Sequence, residues 1–138
     1  MQRNFPVPQN KNAVPLLEKE LTNNIIGAAI EVHKALGPGL LESAYQVCME
    51  YESTLRNIPF EHLVDLPLSY KGLDLNAGYV IDIVYDKRVV VELKAVERII
   101  PVHEAQLLTY MKLTGIRVGL LINFNVPILK DGIYRRVL

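Results

Sequence analysis

At 138 residues, half of them hydrophobic and 22% charged, the chain is sized for one domain with a real core. Its 15 basic residues balance its 15 acidic ones, which argues against a dedicated high-affinity nucleic-acid binder but not against an enzyme that touches a few phosphates through a local patch and a metal. No apolar stretch nears the roughly 20 residues of a membrane-spanning helix, no signal-peptide segment is visible at the N-terminus, and the single cysteine, Cys48, excludes an internal disulfide and any multi-cysteine metal site, so no membrane association and a cytoplasmic setting are expected.

Residues 1–15 carry Pro6, Pro8 and Pro15 among several asparagines and read as an extended or mobile arm. Residues 1–20 are accordingly set aside as arm and residues 21–138 as a single domain. Ile25, Ile26, Ala29, Val32, His33 and Leu36 recur at three- and four-residue steps and predict a helix over Thr22 to Leu36. Thr22 can cap its start, Gly37 can end it, and Pro38 forbids smooth continuation. A second helix is expected over Leu40 to Asn57, with Leu41, Ala44, Cys48, Tyr51 and Leu55 as its stripe.

Three strands should follow: Phe60 to Tyr70, with Pro67 marking an edge or a bulge; Leu75 to Tyr85, after a Lys71-Gly72 turn; and Val89 to Val96. Val102 to Thr114 predicts a helix ended by Gly115. Ile116 to Asn123 is almost wholly apolar, as befits a strand buried on both faces. Gly132 to Val137 closes the chain as a short strand. The order ααβββαβ implies an α/β fold, a mixed sheet with helices packed on it.

Asp82 and Glu92-Leu93-Lys94 put two acids and a lysine on adjacent strands rich in valine and isoleucine. Strand interiors seldom hold ionisable groups unless these are paired or bind something. Converging carboxylates repel, and a hard divalent cation such as Mg²⁺ or Mn²⁺ relieves the repulsion. Lys94 shares a strand face with Glu92, where it can position a water or stabilise developing negative charge. Such a set suits metal-assisted phosphodiester hydrolysis. It requires a particular register: if Asp82 faces Glu92, then Tyr85 faces Val89 and Asp86 to Arg88 form a three-residue loop. A two-residue loop would turn Glu92 to the opposite face.

Gly39-Leu40-Leu41-Glu42-Ser43-Ala44-Tyr45 resembles the pattern that names the GxxExxY proteins of the PD-(D/E)XK nuclease superfamily. The likeness extends over Leu21 to Leu138 through pieces in one order: Ile26 to His33, Gly37-Pro38-Gly39, Tyr70-Lys71-Gly72, Asp82, Glu92-Leu93-Lys94, Glu104 to Tyr110 and Asn123-Phe124-Asn125. The resemblance implies a restriction-endonuclease-like αβββαβ core, here with an extra N-terminal helix. It implies a Mg²⁺- or Mn²⁺-dependent nuclease acting on nucleic acid, DNA foremost. Asp82, Glu92 and the Leu93 carbonyl would ligate the metal, with Glu42 as a further candidate ligand, and Lys94 would orient the attacking water. Gln106 and Tyr110 would match a Gln-x-x-x-Tyr signature supporting Lys94 or the substrate strand.

Blander roles stand beside these. Glu42 in the first turn of a helix is favoured by the helix dipole alone, by about 0.3–1 kcal/mol. Tyr45, one turn on, serves packing or function. Gln106 and Tyr110 form a polar stripe beside the core stripe Leu107, Leu108 and Met111, as an ordinary amphipathic helix does. His33 reads as a buried, hydrogen-bonded histidine and Cys48 as a core residue. The three histidines lack zinc spacing. The other class of function compatible with the neutral charge is a nuclease-derived binding or assembly module without turnover. A homodimer is a further expectation, with Pro67, Glu61, His62 and Asp65 blunting the first strand's edge.

Overall fold

Two helices lead the chain because two apolar stripes are separated by a stretch that cannot be helical. In the computed structural model, which describes residues 17–76 and 78–138, α1 spans Lys19–Leu36 and α2 spans Glu42–Leu55. Most of the arm expected from the sequence falls on residues 1–16, outside the described residues. The α1 stripe Leu21, Ile25, Ala28, Ala29 and Val32 is buried. Thr22 does not cap the helix; its hydroxyl bonds back to the carbonyls of Glu18 (3.0 Å) and Lys19 (3.1 Å), so the helix begins earlier than expected. Gly37, at φ 69°, ends α1 and returns its N–H to the His33 carbonyl at 2.8 Å. Leu41 stays extended, so α2 starts at Glu42 rather than Leu40.

The strands differ from expectation in one instructive way. The first long strand read from the sequence is divided, and the second, expected over Leu75 to Tyr85, is confined to its latter part, with Leu75 ending a short strand of its own. β1 covers Phe60–Asp65 and β2 Leu68–Tyr70; β3 covers Leu73–Leu75 and β4 Val80–Tyr85. Pro67 has no N–H with which to continue a ladder, and the inner halves, β2 and β3, pair only with each other across the Lys71-Gly72 turn. β5 (Val89–Lys94), α3 (Pro101–Thr114), β6 (Val118–Asn123), a 3₁₀ turn over Leu129–Gly132 that the sequence did not announce, and β7 (Ile133–Val137) complete the chain.

The main sheet runs β1-β4-β5-β6-β7, antiparallel except for β5 and β6, which α3 joins as a parallel pair. All six residues of β6 are buried, as its continuous apolar run demands. α1 and α2 cover one face through a core including Ile25, Tyr45, Met49, Ile83, Leu93 and Phe124. α3 covers the other through Leu107, Tyr110 and Met111 against Val84, Val90 and Leu121. His33 is buried with Nε2 at 2.8 Å from the Val126 carbonyl oxygen, and Cys48 packs against the core.

The β4–β5 register is the one the acid pair needs: Tyr85 faces Val89, Val84 faces Val90 and Ile83 faces Val91. Asp86 and Lys87 adopt left-handed φ values of 51° and 56°, and the Arg88 N–H closes the turn on the Tyr85 carbonyl at 2.9 Å. Arg88 is the extra residue that makes the loop three long rather than two.

Candidate active site

At Asp82 the sheet opens. The β4–β5 ladder stops at Ile83–Val91, and β1 pairs with β4 on either side of Asp82 but not at it. Leu63, opposite Asp82, has φ 49°. Face alternation slips at the same place: Ile83 and Tyr85 pack toward α1 and α2, while Ile81 and Val84 both pack toward α3. A regular strand cannot put residues three apart on one face.

Side chains fill the fork. The Asp82 N–H donates to Glu92 Oε2 at 2.8 Å, and the Leu93 N–H donates to Asp82 Oδ2 at 2.7 Å. Each carboxylate thereby satisfies a backbone donor on the other strand, and the pair is held side by side. Among the described residues no donor reaches Asp82 Oδ1 or Glu92 Oε1. Lys94, two residues beyond Glu92 on the same face, places Nζ 3.2 Å from Gln106 Oε1, and Gln106 Nε2 donates to the Tyr110 hydroxyl at 3.0 Å. The polar stripe of α3 therefore reaches the sheet and ends on the lysine. Glu42, at the start of α2, comes from the opposite face, close enough to raise the proton affinity of Glu92.

The electrostatics follow from crowding. Burial, then the charge of Asp82, pushes the Glu92 carboxyl up to about 8, against which the Asp82 N–H and Lys94 work. Asp82 is also raised, first by burial, with the Leu93 N–H and Lys94 opposing. Glu42, exposed as a residue but with a partly shielded carboxyl, is raised by that shielding and by Asp82. Burial and then Glu92 raise the Tyr110 phenol. Three acids thus meet beside one lysine, so the cluster carries more negative charge than its own cation offsets.

The sequence candidates Asp82, Glu92, Lys94, Glu42, Gln106 and Tyr110 are brought to one locality. Leu93 contributes its N–H to Asp82. His103 caps α3, its Nδ1 accepting the Ile100 N–H at 3.1 Å. Tyr45 is fully buried, stacked on Phe124 with ring centroids 4.4 Å apart.

Two residues that serve the site were given no role from the sequence. Gln46, one turn after Glu42, donates to the Asp82 carbonyl at 3.0 Å. Buried Asn123 clamps the chain just past Lys94, accepting the Val96 N–H and donating to the Val96 carbonyl, both at 3.0 Å. A polar residue closing the apolar run of β6 was the available signal for Asn123; the four-residue spacing from Glu42 was the signal for Gln46.

No group of three or more His, Cys, Asp or Glu side chains among the described residues is placed so that it could hold a metal ion by itself. The donor set nevertheless fits a hard cation at an open site: two fixed carboxylates, each with an oxygen that no donor among the described residues reaches, a third acid nearby, and burial that raises the proton affinity of all three.

A mixed sheet with an acid on one strand, an acid–x–lysine run on the next and a parallel partner reached through a crossover helix defines a nuclease-like α/β fold. A family model of the PD-(D/E)XK nuclease superfamily matches residues 19–137, and the chain belongs to that superfamily. Neither the curated proteins nor the solved structures yielded a match. Among the described residues, no helix is long and apolar enough to cross a membrane.

Proposed function

We propose that the protein is a divalent-metal-dependent phosphodiester hydrolase that cuts nucleic acid, with DNA as its substrate, in a cytoplasmic setting. The run Gly39 to Tyr45 favours the GxxExxY branch of the superfamily. One observation carries the reading: the strand fork holds Asp82 and Glu92 side by side through backbone donors while each keeps an oxygen without a donor among the described residues. In this reading Asp82, Glu92 and the Leu93 carbonyl hold Mg²⁺ or Mn²⁺, with Glu42 reaching it directly or through water. A bound divalent cation supplies a water of lowered pKa and neutralises charge on the phosphoryl oxygens.

The chain's own groups do the rest. Lys94 orients the attacking water and offsets negative charge as it develops on the phosphate. Gln106 takes one of the three lysine N–H donors and so fixes where the ammonium points. Tyr110 holds Gln106 in turn.

The test is cleavage of single- and double-stranded DNA and RNA by purified protein with Mg²⁺ or Mn²⁺. Asp82→Ala and Lys94→Ala should each lower cleavage by about 100-fold or more with unchanged circular dichroism. No cleavage of any of these substrates by wild type would end the catalytic reading. The equal numbers of acidic and basic residues favour a second reading, a binding or assembly module without turnover. Calorimetry separates the two: Mn²⁺ binding that vanishes in Asp82→Asn supports the hydrolase, and no binding at millimolar metal supports the module.

A further inference from the structure

The fork that makes room between Asp82 and Glu92 also takes Asp82 out of both neighbouring ladders. Its N–H is recovered by Glu92, but its carbonyl needs a donor from elsewhere. That donor is Gln46 Nε2 at 3.0 Å, and the same amide nitrogen donates to Glu50 Oε2 at 2.7 Å. Glu50 is itself anchored, its Oε1 lying 2.9 Å from His62 Nδ1 on β1. Gln46, Glu50, His62, Leu63, Glu42 and Asp82 line one cavity of about 600 Å³. The amide of Gln46 is therefore oriented from one side by Glu50 and spends its other N–H on the peptide that carries the Asp82 side chain.

We propose that Gln46 is a positioning residue for the acid pair: by holding the Asp82 carbonyl at the strand fork, it fixes the Asp82 carboxylate against Leu93 and beside Glu92. The inference goes beyond the hydrolase reading and rests on it only for the metal. A peptide free to rotate at the fork would carry its carboxylate with it, and both cross-strand hydrogen bonds would loosen together. Residues that orient a metal ligand from outside typically change metal affinity by about 10–100-fold when lost.

The experiment uses the full chain without metal first. In Gln46→Leu, amide hydrogen exchange at Asp82 and Leu93 should quicken at least tenfold, while exchange at Val84 and Val90, within the intact ladder, stays as in wild type. Calorimetry should then show Mn²⁺ binding weakened by about 10–100-fold. Exchange at Asp82 and Leu93 that is unchanged, or that quickens uniformly through β4 and β5, overturns the proposal. Should Gln46→Leu fail to fold, Glu50→Ala leaves the donor present but unanchored and should give the same selective pattern at smaller amplitude; its absence overturns the proposal equally. If wild type takes up no Mn²⁺, the metal reading of the site falls, and the exchange comparison alone decides the role of Gln46.

Discussion

The Tyr45 hydroxyl donates to the Gly37 carbonyl at 2.5 Å and accepts the Leu40 N–H at 3.2 Å. One side chain thus ties the turn between α1 and α2 at both ends, while its ring stacks on Phe124. Gly39, at φ 99°, gives that turn a conformation which a side chain would strain. The glycine and the tyrosine of the Gly39–Tyr45 run are thereby accounted for by the turn that delivers Glu42 to the first residue of α2. Tyr45→Phe removes only the hydroxyl and leaves a carbonyl and an N–H unpaired in a partly buried turn. It should cost about 1–3 kcal/mol, seen as a melting temperature several degrees lower. An unchanged melting temperature would mean the hydroxyl contributes nothing to the turn. The sequence left Tyr45 open between packing and function because the decision depends on which carbonyl the fold leaves without a partner. Gln46 and Asn123 showed as polar residues at telling positions but not as partners, because each serves a backbone group whose lack of a ladder partner only the fold reveals.

Between elements, α3 lies tightly on β6 at Gly119. A Cβ at Gly119 would stand 2.5 Å from Met111 Sδ and 3.0 Å from Leu107 Cδ1. Gly119→Ala should therefore push α3 off the sheet, at about 1–3 kcal/mol. Because Gln106 precedes Leu107, the same shift should loosen the contact to Lys94. Thermal denaturation measures the first effect. A Gly119→Ala protein as stable as wild type would show that Met111 swings aside at no cost. Much at this scale was readable: the apolar run ending at Asn123, the helix ended by Gly115 and the Lys71-Gly72 turn all follow from local pattern and turn chemistry, while the loop after Tyr85 reads as three residues or two, a choice that the register makes. The division of the first long strand and the shortening of the second were not. Pro67 marked a disturbance, but alternation reads the same whether β2 joins the main sheet or folds back on β3; that choice is made by tertiary pairing. The slip at Asp82 is likewise invisible, since Val80, Ile81, Ile83 and Val84 are all apolar and carry no alternation to break.

Over the whole molecule the charges cancel, yet three acids gather near Lys94, and their burial sets how stability answers to pH. The Glu92 carboxyl, near 4.5 in an unfolded chain, titrates at about 8 in the fold. Between those values the folded state keeps a proton that the unfolded state has lost, so stability falls as pH rises through that window. Asp82 and Glu42, also raised, act with the same sign. His103, lowered by burial and by Lys94, acts in the opposite direction, so the comparison must be made within a pair of proteins. Metal-free wild type should lose melting temperature from about pH 5.5 to about pH 8 relative to Glu92→Gln, whose neutral amide has no proton to lose. On the proposed metal reading a cation would replace the proton, so Mg²⁺ should stabilise wild type more at pH 8 than at pH 6, where it must first displace a proton. At a hundredfold excess over its dissociation constant, a ligand specific to the fold adds about 2.7 kcal/mol, a shift readily read by thermal denaturation. Glu92→Gln should be the more stable protein without metal and should gain little from adding it. A wild-type melting temperature that runs parallel to that of Glu92→Gln across the window, with and without Mg²⁺, would mean that the acid cluster is neutralised within the chain and has no need of a cation.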